Sequence, residues 1–152
     1  MIYPVLVLAY NRPKHLQQTL EALGKCELAS QTHVTIMVDG PAHDCDLGNA
    51  SVQKFVCQFA LNNSTFKSVK YFIRAEHNGV KNHVSKAITT ILRHHEAAII
   101  VEDDIVVSHE FLQYMNKALS KWKDNPRVLS ISGYKYPAYS TPSSHFLRYI
   151  SS

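Results

Sequence analysis

Apolar and polar positions fall into two alternating kinds of block along this chain. Val5 to Ala9 is a continuous apolar run, the pattern of a strand covered on both faces. Pro13 then suits a helix start, Leu16, Leu20 and Leu23 recur at helical spacing, and Gly24 closes the segment. The same pair of signals repeats. Residues 34–38 predict a second strand ending at Asp39-Gly40-Pro41, and a polar loop runs over 42–49. Val52, Phe55, Val56 and Phe59 predict a helix ending before Asn62-Asn63. Residues 69–73 predict a third strand, and Asn78-Gly79 a turn. Val84, Ala87, Ile88, Ile91 and Leu92 form the stripe of the next helix. A fourth strand is expected over 97–101. A helix follows, with Ser108 as N-cap, Phe111, Leu112, Met115 and Leu119 facing inward, and Asn125-Pro126 as its stop. Residues 128–132 predict a fifth strand ending at Gly133, after which the pattern fades.

Strands alternating with helices imply an α/β fold, a Rossmann-like and mainly parallel sheet with helices on both faces. Right-handed crossovers place the strand ends at Ala9, Asp39 and Glu102 along one edge, the usual ligand crevice of such sheets.

Three consecutive acids, Glu102-Asp103-Asp104, stand at that edge between Ile99-Ile100-Val101 and Ile105-Val106-Val107. Adjacent carboxylates between apolar segments are costly without a cation or hydrogen-bond donors. Mg²⁺ and Mn²⁺ favour oxygen ligands and commonly join a carboxylate to a substrate phosphate. A solvated acidic turn is the simpler alternative. At the end of the first strand, Ala9 permits close ligand approach, Tyr10 offers a stacking face and Arg12 a positive charge; a plain loop with Asn11 as helix cap would also account for them. Asp39 could accept hydrogen bonds from a ribose or base, or form the Asp-Gly-Pro turn. His83 and Lys86 lie three apart and share a helix face. Neither a GxGxxG fingerprint, nor a P-loop, nor a Gly-x-Ser-x-Gly elbow is present, which favours a carboxylate–metal phosphate site.

Composition narrows the class. The chain has 152 residues, 45% of them hydrophobic and 18% charged, which suits one globular domain. The net charge of +4 is dispersed, so it fits an anionic small ligand and gives no basic-aromatic stripe for nucleic acid. Cys26, Cys45 and Cys57 are odd in number and lack CxxC spacing, which suggests reduced thiols and a cytoplasmic location, with peripheral membrane association left open. No apolar run reaches membrane-spanning length, and the opening Met1-Ile2-Tyr3-Pro4 lacks the pattern of a signal peptide. His94 and His95 read as surface residues and Trp122 as core.

The stretch Leu6-Val7-Leu8-Ala9-Tyr10-Asn11-Arg12-Pro13 resembles the opening strand and loop of GT-A-type glycosyltransferases, and Val38-Asp39-Gly40 resembles their second-strand acid. Val101-Glu102-Asp103-Asp104 with Phe111-Leu112 is similar to the Glu-Asp-Asp form of the DxD motif in the N-acetylglucosaminyltransferase I-like group and related bacterial sugar transferases. The resemblance implies metal-dependent transfer of a sugar from a nucleoside-diphosphate sugar, a UDP-sugar foremost, to an acceptor hydroxyl. It implies that Ala9, Tyr10 and Arg12 border the base, that Asp39 contacts base or ribose, and that His83 lies near the base. Glu102 would take the ribose hydroxyls, Asp103 would lie near sugar or ribose, and Asp104 would coordinate Mn²⁺ or Mg²⁺. Residues 1–152 would form the donor-binding domain, ending before the acceptor-binding half that carries the catalytic base and meets the saccharide acceptor. A noncatalytic nucleotide-sugar module is the alternative. A metal-dependent phosphohydrolase or receiver-like domain is a third reading, set back by Ala9-Tyr10-Asn11 where such folds want an acid.

Overall fold

The computed structural model describes residues 1–134. Four strands form one all-parallel sheet in the order β3-β2-β1-β4: β1 Val5–Ala9, β2 His33–Val38, β3 Ser68–Ile73 and β4 Ile99–Glu102. The register pairs Ala9 with Val38, Val38 with Ile73 and Leu8 with Glu102, so the four carboxyl ends lie side by side. The helices α1 Pro13–Gly24, α2 Leu47–Leu61 and α3 Gly79–Leu92 connect the strands, and α4 Phe111–Trp122 follows β4.

The strand pleat divides the core in two. Val5, Val7, Ala9, Val34, Ile36, Val38, Ile99 and Val101 face α1, α2 and α4, whose Leu16, Leu20, Val52, Val56, Leu112 and Met115 fill that side. Leu6, Leu8 and Met37 face the other way, onto Ala87 and Ile91 of α3. β1 is buried at every position because it lies inside the sheet with a helix layer on each face. α4 is tied to the start of β1 through Asn116, whose Oδ1 accepts the Tyr3 N–H at 2.8 Å. At the β3 edge cover is thinner, and Phe72 is 54% exposed.

The structure corrects several expectations at element ends. The predicted fifth strand does not form: residues 128–132 are irregular and Leu129 is fully exposed. Val, Leu and Ile give that segment strand propensity, but it has no ladder partner among the described residues, and propensity without pairing does not make a strand. α2 begins at Leu47, inside the expected loop, because Asp46 caps it by accepting the Asn49 N–H at 3.0 Å. α4 has Glu110 rather than Ser108 at its N-cap. The N-cap of α1 is Arg12, without a side-chain bond, so Asn11 has no capping role. Trp122 is only half-buried, under Lys121, outside both core groups. His94 and His95 are exposed, as expected. The three cysteines are free.

Two glycines shape the sheet's carboxyl edge differently. A Cβ at Gly40 would stand 2.2 Å from the Glu76 carbonyl carbon, so the β2 end and the loop after β3 touch through backbone. Gly79 has open space around it but a φ of 73°, which favours glycine. Gly40→Ala is therefore expected to lower stability by about 2–3 kcal/mol, as overpacking against backbone does, and Gly79→Ala by about 1 kcal/mol. Chemical denaturation of both variants checks the order.

Candidate functional site at the carboxyl edge of the sheet

Four loops meet at the carboxyl edge: residues 10–12 after β1, 39–46 after β2, 74–78 after β3 and 103–110 after β4. Long-range polar contacts between charged and aromatic side chains join them.

The acidic triplet divides its side chains. By strand alternation, Glu102 falls on the face of Ile100, toward α3; it is exposed, and no described residue bonds its carboxylate. Asp103 turns the other way and is buried. Its main-chain oxygen accepts the Thr19 hydroxyl of α1 at 2.8 Å, and its carboxylate accepts the Tyr10 N–H at 3.4 Å. Burial pushes the Asp103 carboxyl up, against the pull of Arg12. Asp104 stands at the rim with its side chain 38% exposed. Arg12 forks across both acids, one nitrogen 2.5 Å from Asp103 Oδ1 and the other 3.0 Å from Asp104 Oδ2. The cation that the buried carboxylate requires is thus supplied by the loop after β1.

Asp39 is 2% exposed and its oxygens are crowded with donors. The N–H groups of Asn78 and Gly79, at the start of α3, and the His77 ring all lie 3.1 Å from its carboxylate. A carboxylate at a helix N-terminus meets both free N–H groups and a favourable dipole. No Asp-Gly-Pro turn forms at this strand end. In the structure Asp39 fastens the loop after β3 to β2.

His83 lies beneath this contact, buried, with Nε2 3.2 Å from the Met37 carbonyl and Nδ1 accepting from Arg74 Nε at 3.3 Å. The carbonyl requires the proton on Nε2, so the ring fits as a neutral tautomer. Burial pushes its pKa down, against the pull of Asp39, whose Oδ1 lies 3.6 Å from Nδ1. Ala9 is buried at the end of β1. Tyr10 is half-buried; its hydroxyl donates to Asp46 at 2.8 Å and its ring lies 5.0 Å from the His77 ring at a 39° tilt. Desolvation, then the Asp46 bond, raises the Tyr10 pKa. Lys86 reaches the Asn78 side chain.

The structure therefore brings Ala9, Tyr10, Arg12, Asp39, Glu102, Asp103 and Asp104 to one edge, with His83 behind Asp39. Sequence reasoning missed Asp46, Asn49, Arg74 and His77. Asn49 is buried in α2, and its amide bridges the Tyr10 and Asp39 carbonyls at 2.9 and 2.8 Å. A capping aspartate before Leu47 was the one local sign of this group; the rest arises from contacts across the sheet.

Among the described residues no three His, Cys, Asp or Glu side chains converge as a self-sufficient metal site. A single rim carboxylate with one oxygen on Arg12 instead suits Mn²⁺ or Mg²⁺ bound jointly with phosphate oxygens, since such ions commonly take one or two carboxylates plus substrate. No helix among the described residues is long and apolar enough to cross a membrane.

No family model and no curated protein matches the chain. Solved structures do. A mannosyltransferase from Pyrobaculum calidifontis, PcManGT, in complex with GDP-Man and Mn²⁺, aligns with a TM-score of 0.61 at 18% identity, over 84% of this chain and 33% of that one. S. aureus TarS, residues 1–349 in complex with UDP-GlcNAc, aligns with a TM-score of 0.60 at 16% identity, over 80% and 32%. TarS over a longer chain aligns at 0.58 and 17% identity, over 80% and 20%. The chain thus spans a third or less of the length of these structures. The likeness establishes the fold, an α/β Rossmann-like sheet shared with these structures.

A buried neutral His83 makes stability pH-dependent. The unfolded ring takes up a proton near pH 6.5 while the folded one resists until lower pH, so stability is level above about 6.5 and falls as pH drops below it. Melting temperatures recorded from pH 7.5 to 5 should show this fall, and a shallower one in His83→Gln.

Proposed function

We propose that the carboxyl edge of this sheet is the donor site of a metal-dependent glycosyltransferase, which moves a sugar from a nucleoside-diphosphate sugar to an acceptor hydroxyl. The observation that carries the reading is Asp104 at the rim of β4, beside the loop after β1, in a fold shared with structures holding UDP-GlcNAc or GDP-Man with Mn²⁺. In this reading residues 1–152 are the donor-binding part, and the acidic triplet is the Glu-Asp-Asp form of a DxD motif, as in the N-acetylglucosaminyltransferase I-like enzymes.

The roles follow from exposure and charge. Glu102, exposed and unbonded, takes the ribose hydroxyls. Asp104 would hold Mn²⁺ or Mg²⁺, and the cation would supply charge neutralisation for a departing nucleoside diphosphate. Asp103 is buried too deeply for open solvent and orients Arg12 beside the sugar and phosphates. Tyr10 and Ala9 border the base, with His77 as the second ring. Asp39 and His83 fix the floor beneath the base through the start of α3 and the Met37 carbonyl. The donor is a UDP-sugar and the acceptor a saccharide.

Calorimetry with UDP and Mn²⁺ tests this directly. Binding is expected with wild type and should weaken at least about tenfold in Asp104→Ala, the loss typical of a removed charged ligand contact. Absence of binding, or binding that Asp104→Ala leaves unchanged, contradicts the reading. Donor hydrolysis or sugar transfer dependent on Mn²⁺ separates an enzyme from a module that only binds.

A further inference from the structure

The fork of Arg12 has a consequence for the order in which ligands enter. Its two nitrogens meet carboxylates in different settings. Asp103 is buried, and its second oxygen faces the Tyr10 N–H, so this half of the fork is enclosed. Asp104 is at the rim, and the Arg12 side chain is itself 45% exposed. The enclosed contact anchors the guanidinium and the rim contact can open. Arg12 therefore stands against the Asp104 oxygen that a divalent cation would need.

The geometry points to Arg12 as a resident counter-cation that couples cation binding to diphosphate binding. With no nucleotide, Arg12 neutralises Asp104, and a free divalent cation meets a carboxylate already paired and a positive charge beside it. A diphosphate offers the guanidinium a doubly anionic partner of matching geometry, since such forks suit phosphate as well as carboxylate. Arg12 then turns its outer nitrogen to the phosphate, still anchored on Asp103, and Asp104 becomes available to the cation. Metal and nucleotide bind together tightly and separately weakly, and neither step involves bond-making. This inference rests on the donor-site reading above and adds to it a positioning residue with a stated thermodynamic effect.

Replacing Arg12 alone would strand the buried Asp103 charge, so the informative variant is Arg12→Gln combined with Asp103→Asn. Asn keeps an acceptor for the Tyr10 N–H while removing the buried charge. The free Mn²⁺ signal in electron paramagnetic resonance reports metal binding without any activity measurement. Wild type is expected to bind Mn²⁺ weakly alone and markedly more tightly with UDP. The double variant leaves the net charge of the site unchanged but frees the Asp104 oxygen from its ion pair, so it should bind Mn²⁺ alone about two- to fivefold more tightly than wild type, the worth of one partly exposed pair, and should show correspondingly less gain from UDP. A misfolded variant would lose affinity instead of gaining it. Asp104→Asn separates the two claims. If it binds Mn²⁺ and UDP as wild type does, the donor-site reading fails and takes the coupling with it. If it loses binding but the double variant gains none for Mn²⁺ alone, the donor site stands and the coupling is overturned.

Discussion

The burial of one carboxylate, Asp103, organises the site. A charge placed between the end of β4 and the layer of α1 requires compensation, and Arg12, the residue preceding α1, provides it. That pairing brings the loop after β1 against the end of β4. It also presents Asp104 at the rim. The Thr19 hydroxyl on the Asp103 carbonyl ties the same turn to the body of α1, so the acids are held from below by a packed helix and from the side by a cation.

A second carboxylate does similar work on the other flank. Asp39 sits on the N-terminal N–H groups of α3 and beside His77, which fastens the loop after β3 to β2. Gly40 permits the close backbone approach that this requires. Asn49 bridges the ends of β1 and β2 through their carbonyls, and Tyr10 spans from Asp46 to His77. The result is a floor of interlocked loops that leaves Glu102 and Asp104 exposed. Buried acids build the shelf, and the exposed acids are the ones assigned to ligands in the proposed function.

Much of the scaffold was legible in the sequence because periodicity reports burial. The run at β1 and the stripe Leu16, Leu20, Leu23 describe elements whose faces are fixed by the core. Residues 128–132 show where this fails, since strand propensity cannot report whether a partner strand is present. The site was legible in position but less so in role. The carboxyl ends of parallel strands share an edge, and the structure brings Ala9, Asp39 and the triplet to it. Sequence alone could not tell that Asp39 is enclosed and Asp104 open, because exposure depends on loops distant in sequence. Arg74 and His77 escaped notice for the same reason: their partners lie across the sheet, and neither has a local pattern of its own.

In the proposed function Asp104 and a nucleoside diphosphate share one divalent cation at this edge. A crystal structure of the protein with UDP and Mn²⁺, with anomalous scattering recorded for manganese, tests it most directly. A manganese peak is expected at coordination distance from the Asp104 carboxylate and from diphosphate oxygens, with the uracil beside Tyr10. Ordered UDP elsewhere on the surface, or manganese bound away from Asp104, would contradict it.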